Sequence, residues 1–142
     1  MWDVWAELRR RRHITLEWAD LGDELGRIDS VDGRLTITLH YRLNARDRRA
    51  VLAHELVHAE RGILFDDDSP AELVQCEERA VRREVARRLC PPDQLVLRVR
   101  AAVADGQAVS PAEVSEWFDV PADVATEALV MHGLALAATD RR

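Results

Sequence analysis

The chain has 142 residues, of which 47% are apolar and 32% charged, with a formal net charge of −6. That balance excludes a disordered chain, and the length fits one domain, or a domain with a small appendage, able to bury a core without disulfides. No apolar run approaches the ~20 residues of a membrane-crossing helix. The segment Met1-Trp2-Asp3-Val4-Trp5 lacks the basic and apolar regions of a secretion signal, so no membrane partner and a cytoplasmic location are expected.

All 20 basic residues are arginine, which reads as codon bias rather than chemistry. Their distribution is uneven. The run Arg9-Arg10-Arg11-Arg12 reads as a solvated helix end, where cations suit the macrodipole. Between Ala101 and Asp140 there is no arginine but seven acids: Asp105, Glu113, Glu116, Asp119, Asp123, Glu127 and Asp140. Such a stretch repels a phosphate backbone, so direct nucleic-acid binding is not expected of it.

In chain order, residues 2–12 read as a short helix. His13 to Trp18 alternates apolar and polar residues and reads as a strand. Asp32-Gly33 is a hairpin signal joining a short strand around Arg27-Ile28-Asp29 to a second over Arg34–His40, whose Leu35, Ile37 and Leu39 share one face. A three-stranded antiparallel sheet is expected, with the exposed Leu35–Leu39 strand at its edge. Asn44 is an N-cap for a helix that stops at Gly62. Ser69-Pro70-Ala71-Glu72 opens another, which runs to Cys90 and is ended by Pro91-Pro92. The intervening Asp66-Asp67-Asp68 reads as a solvated loop. Further helices are expected over about 93–104, 110–118 and 121–132. The division expected is a domain over 1–104 and a helical, helix-turn-helix-like extension over 105–142. The acidity of Val109–Leu134 favours packing or partner docking over DNA reading. Cys76 and Cys90, 14 residues apart on one helix, lie ~21 Å apart and cannot form a disulfide. A reduced protein follows.

The chemistry concentrates in His54-Glu55-Leu56-Val57-His58. Spacing of i, i+4 puts both imidazoles on one helical face, where their nitrogens can converge on a zinc ion. Glu55 lies beside that face, placed to act as general base on a water. A catalytic zinc needs a third protein ligand, and Cys76, Glu77 and Glu78 on the next helix are candidates. The apolar residues Ala71, Val74, Val81, Val85 and Leu89 cluster on one face of that helix, and Glu78 projects within roughly 20° of its centre. A carboxylate aimed at the core must be paired or bound to metal. Glu78 is therefore chosen as third ligand, with pairing to an arginine as the competing role. Glu77, roughly 80° away, is expected to be solvated, and Cys76 to point elsewhere.

With these residues in place, the chain resembles the ImmA/IrrE metallopeptidases, which are found beside phage and mobile-element repressors. The resemblance covers roughly residues 25–92. It rests on the Arg48–His58 segment, on Glu78–Pro91, which is similar to the family's E-x-x-A-N-x-x-A…L-x-P helix, and on a hairpin strand directly before the zinc helix. It implies an α+β zincin-like fold, His54, His58 and Glu78 as zinc ligands, and Glu55 as general base. It implies a protein substrate too, a helix-turn-helix repressor cleaved to derepress its genes. The chain departs from the family at Arg82, four residues after Glu78, where Asn or Asp often orients a ligand histidine; arginine cannot accept that hydrogen bond. Peptide deformylases share H-E-x-x-H but take an upstream cysteine ligand, which this chain lacks.

Two further readings remain. His40 and Tyr41, at the end of the strand, are candidates for oxyanion or substrate binding, against an ordinary strand-end pair. His13 and His132 read as surface or packing residues, and Trp2, Trp5, Trp18 and Trp117 as core or interface anchors. A function of another class also fits: an antirepressor that binds without cleaving, its zinc site structural or vestigial.

Overall fold

The computed structural model describes residues 1–133; Leu134, the expected end of the helix-turn-helix-like stretch, and Asp140, the last of its acids, lie outside the described residues. The fold is α+β. Its elements are α1 (Val4–Arg10), β1 (Ile14–Ala19), β2 (Gly26–Val31), β3 (Arg34–His40), α2 (Ala45–Arg61), α3 (Ala71–Leu89), α4 (Pro92–Ala104), α5 (Pro111–Phe118) and α6 (Ala122–Met131).

Local signals set most of these boundaries. Asp32 (φ 51°) and Gly33 (φ 76°) both adopt the left-handed region, the two-residue turn that matches the twist of a hairpin. The Asn44 side chain accepts a hydrogen bond from the Asp47 N–H at 2.8 Å and starts α2. Gly62 ends that helix in a left-handed conformation, its N–H donating to the His58 carbonyl. Ser69 behaves differently from a capping residue: its hydroxyl accepts from the Asp66 N–H within the loop. At the start of α5 the Ser110 N–H donates to Glu113 Oε2 at 2.8 Å, as in a capping box.

The sheet differs from the antiparallel one expected. Its order is β1-β3-β2, with β1 parallel to β3 and β2 antiparallel to it. The strand over Leu35–Leu39 is thus central, not an exposed edge. The reason lies in side-chain rows. The parallel register sets Ile14 beside Leu35, Leu16 beside Ile37 and Trp18 beside Leu39. The equivalent positions of β2 offer Ser30, Ile28 and Gly26. Pairing β1 with β3 buries the more apolar combination. Ile37 and Leu39 are fully buried as a result.

β2 forms one open edge of the sheet. The Leu25 carbonyl accepts from the His40 N–H at 2.9 Å. Given the register, Arg27, Asp29 and Val31 then exchange hydrogen bonds with β3. The N–H and C=O groups of Gly26, Ile28 and Ser30 are left on the outer edge.

Two compact units partition the chain: Trp2–Val81, and the part from Arg82 onward together with Met1. The first contains the sheet, α1, α2 and most of α3, and its buried residues include Val4, Ile37, Leu39, Leu52, Leu56 and Val81. In the second, the turn between α5 and α6 places Asp119 in the left-handed region (φ 54°), and Val114, Phe118, Val120 and Leu129 are buried. The Arg98 guanidinium lies over the Trp117 ring, 5.9 Å from its centroid.

In the first unit α2 crosses the apolar face of the sheet. Near the helix start, the Arg48 guanidinium covers Trp18 of β1, 5.2 Å from the ring centroid. One to two turns later α2 meets Gly26 at the start of β2. A Cβ there would stand 2.5 Å from Val51 Cγ1 and 3.3 Å from Glu55 Oε1. Glycine is required by this close approach, because a β-branched valine in a helix has little χ1 freedom to yield. We expect Gly26→Ala to destabilise the protein by about 1–3 kcal/mol, the usual cost of overpacking. In urea denaturation, the double variant Gly26→Ala/Val51→Ala should then be no less stable than Gly26→Ala alone.

Candidate metal centre

The i, i+4 spacing on α2 does what helical geometry demands. His54 and His58 project from the same face, with Nε2 atoms 3.2 Å apart and ring centroids separated by 4.8 Å. α3 brings Glu78 to both. Glu78 Oε2 lies 3.0 Å from His54 Nε2, and Oε1 lies 2.8 Å from His58 Nε2. Among the described residues these three form the one group whose ligand atoms all fall within 4.8 Å of one another. Two nitrogens and a carboxylate gathered this closely could hold a metal ion. His58 is buried, while His54 and Glu78 stay partly open to solvent.

The charges of the cluster shift its titrations. Hydrogen bonds from His54 and then His58 hold the Glu78 carboxyl well below the usual carboxylate range. Burial works against protonation of His58. The hydrogen bond and charge of Glu78 outweigh it, with Glu55 and Glu77 adding to the pull, and raise the His58 pKa.

Glu55 is buried beside the cluster on α2, against the start of β2. Its burial pushes its pKa up, and the charges of His54 and His58 only partly offset this. A carboxylate with a raised pKa next to a candidate metal site is suited to taking and releasing a proton.

Glu77 corrects an expectation. It is not solvated but buried, at 6% exposure. Arg61, three residues past His58, donates to it in a fork: Nε to Oε1 at 2.5 Å and Nη2 to Oε2 at 3.0 Å. The hydrogen bond from Arg61 keeps the Glu77 carboxyl below its ordinary range. The apolar face of α3 gave no sign of this, because the compensating charge comes from another helix. The signal available in the sequence was Arg61 itself, one turn beyond His58. Cys76 is exposed and outside the cluster. Arg82 is exposed on α3.

His40 and Tyr41 make a separate arrangement. His40 Nδ1 accepts from the Arg42 N–H at 3.1 Å, so the ring carries its proton on Nε2, 3.3 Å from Asp20 Oδ1. Tyr41 stacks on the His40 ring with centroids 5.2 Å apart, and its hydroxyl accepts from Arg42 Nε at 2.9 Å. The approach of His40 to Asp20 joins the end of β3 to the segment after β1.

A pH dependence follows for the metal-free protein. His58 titrates above its ordinary value of 6.5 when folded, so its contribution to stability is complete below about 6.5 and is lost as pH rises through the folded pKa. Glu78 acts in the opposite sense: its contribution is present above its ordinary value of 4.5 and is lost on acidification. The metal-free melting temperature should therefore fall between pH 6 and pH 8. Thermal melts of His58→Gln should show a flatter profile over that interval.

No protein-family model matches the chain, and no match to a curated protein is found.

Proposed function

We propose that the protein is a zinc-dependent endopeptidase of the ImmA/IrrE type, with His54, His58 and Glu78 as ligands and Glu55 as general base. The observation that carries this reading is the convergence of the three ligand atoms beside a buried carboxylate of raised pKa. Zinc bonds of about 2.0–2.2 Å in a tetrahedral site set neighbouring ligand atoms roughly 3.4 Å apart. The two imidazole nitrogens here are 3.2 Å apart, close to that edge length, and one ligand atom from each of the three residues lies within 4.8 Å of the others. Three protein ligands, two of them partly exposed, also leave a fourth position for water, as catalytic zinc sites do.

A zinc ion in this site supplies Lewis-acid polarisation of an attacking water and of the scissile carbonyl. Glu55 performs the proton transfers. Its carboxylate accepts a proton from the attacking water and delivers it to the departing amine, steps favoured by its raised pKa. Gly26, at the start of the edge strand β2, lies directly against Glu55. An extended substrate segment pairing with the outer edge at Gly26, Ile28 and Ser30 would lay its backbone across the site. The edge used for this is β2, because β3, which the sequence led one to expect at the edge, is the central strand. The substrate class, a helix-turn-helix repressor, comes from the family resemblance.

Two experiments test the reading. Purified wild type should carry one zinc per chain by elemental analysis. His54→Ala, His58→Ala and Glu78→Ala should each lose it, while Cys76→Ser should retain it. Absence of zinc from wild type after zinc-supplemented expression would overturn the proposal. Glu55→Gln should keep the zinc and lose about 10²–10⁴-fold in peptide cleavage, the usual share of a general base. A non-cleaving antirepressor would instead release its repressor equally well with Glu55 or Gln at that position.

A further inference from the structure

We propose that Arg61 and Glu77 form a positioning clamp that presents Glu78 to the two histidines and so sets the metal affinity of the site. The inference rests on the reading of His54, His58 and Glu78 as a metal centre and adds a residue pair that holds it in register.

The geometry carries the argument. Arg61 lies one turn beyond His58 on α2, and Glu77 immediately precedes Glu78 on α3. The two hydrogen bonds between them, at 2.5 and 3.0 Å, use both carboxylate oxygens and two nitrogens of one guanidinium. A forked contact of this kind fixes direction as well as distance, which a point charge does not. It therefore restrains both the separation of α2 and α3 and the rotation of α3 about its own axis. That rotation decides where Glu78 points, since adjacent residues on a helix differ by about 100° in direction.

A second link between the same helices runs through Glu78 itself, which bridges His54 and His58 in the metal-free arrangement. That link is made by the groups that would hold the metal, so its hydrogen bonds give way when a metal takes their place. The Arg61–Glu77 contact uses none of the ligand atoms and persists through loading. Nine residues, 62–70, separate α2 from α3, a connection long enough to need such a restraint. Burial reinforces this role: Glu77 is 6% exposed, whereas Glu78 remains one-third open. Glu77 is covered while the Arg61 side chain over it stays 39% exposed, so the carboxylate has its partner in place of water and is held to that geometry.

The test is zinc affinity, measured by competition with a chromophoric chelator on folded, metal-free protein well below its melting temperature. Arg61→Met and Glu77→Gln should each weaken zinc about 10- to 100-fold, the range seen when a partner that orients a ligand is removed. The double variant should lose no more than about threefold beyond the weaker single, because the pair acts as a unit. Arg61→Lys retains the charge without the fork and keeps Glu77 compensated, so it guards against misfolding; it should fall between wild type and Arg61→Met. A purely structural pair would lower the melting temperature of the metal-free variants and leave zinc affinity within twofold of wild type, and that result would overturn the proposal. Failure of wild type itself to bind zinc would instead strike the metal-centre reading, so the two failures are distinguishable.

Discussion

Two imidazole nitrogens 3.2 Å apart, both facing one carboxylate, are an arrangement that protein groups rarely hold without a reason. Each nitrogen can donate to Glu78, but the pair has nothing to offer one another, and the carboxylate must give up water to lie between them. The raised pKa of His58 and the depressed pKa of Glu78 are two expressions of that tension: each group is held in its charged form by the other. A cation shared by the three would resolve it. The surrounding elements can be understood by what they do to keep these three side chains together.

α2 is the central support. Its N-cap at Asn44 and its glycine stop at Gly62 delimit a helix of 17 residues that packs on β2 and β3. The sheet fixes that path. Trp18 receives Arg48 near the start, the fully buried Leu39 lies between, and Gly26 lets the helix pass close enough for Glu55 to rest against the strand. The same close approach that demands glycine at position 26 also shelters Glu55 from water, and that burial raises its pKa. Packing at the edge of the sheet and proton affinity at the site are thus one constraint seen twice. α3 then contributes the carboxylate, with Glu77 held by Arg61 alongside it.

Much of this was legible in the sequence because the signals are local. The Asp32-Gly33 turn, the Asn44 and Gly62 caps and the i, i+4 histidines each depend on residues within a few positions of one another. Glu78 could be chosen because the apolar face of one helix is enough to orient it. What escaped depends on contacts between segments distant in sequence. The sheet order turns on whether β1 pairs with β2 or β3, and alternation within β1 is identical in either case; only the comparison of apolar rows separates them. Glu77 looked solvated because its helix says nothing about an arginine 16 residues earlier. Gly26 carried no turn signal, as its role is close approach rather than an unusual backbone angle. His40 and Tyr41 were candidates by position alone; their hydrogen bonds run to Arg42, and His40 also lies beside Asp20.

The most direct measurement is X-ray absorption at the zinc edge of the metal-loaded protein. It reports the ligand atoms themselves, independently of any substrate. A first shell of about four nitrogen and oxygen atoms at ~2.0–2.1 Å, with outer-shell scattering from two imidazoles and no sulfur, is the result the His54–His58–Glu78 centre predicts. A sulfur scatterer near ~2.3 Å would assign the metal to a cysteine, and a shell without imidazole would detach it from α2. Either would contradict the account.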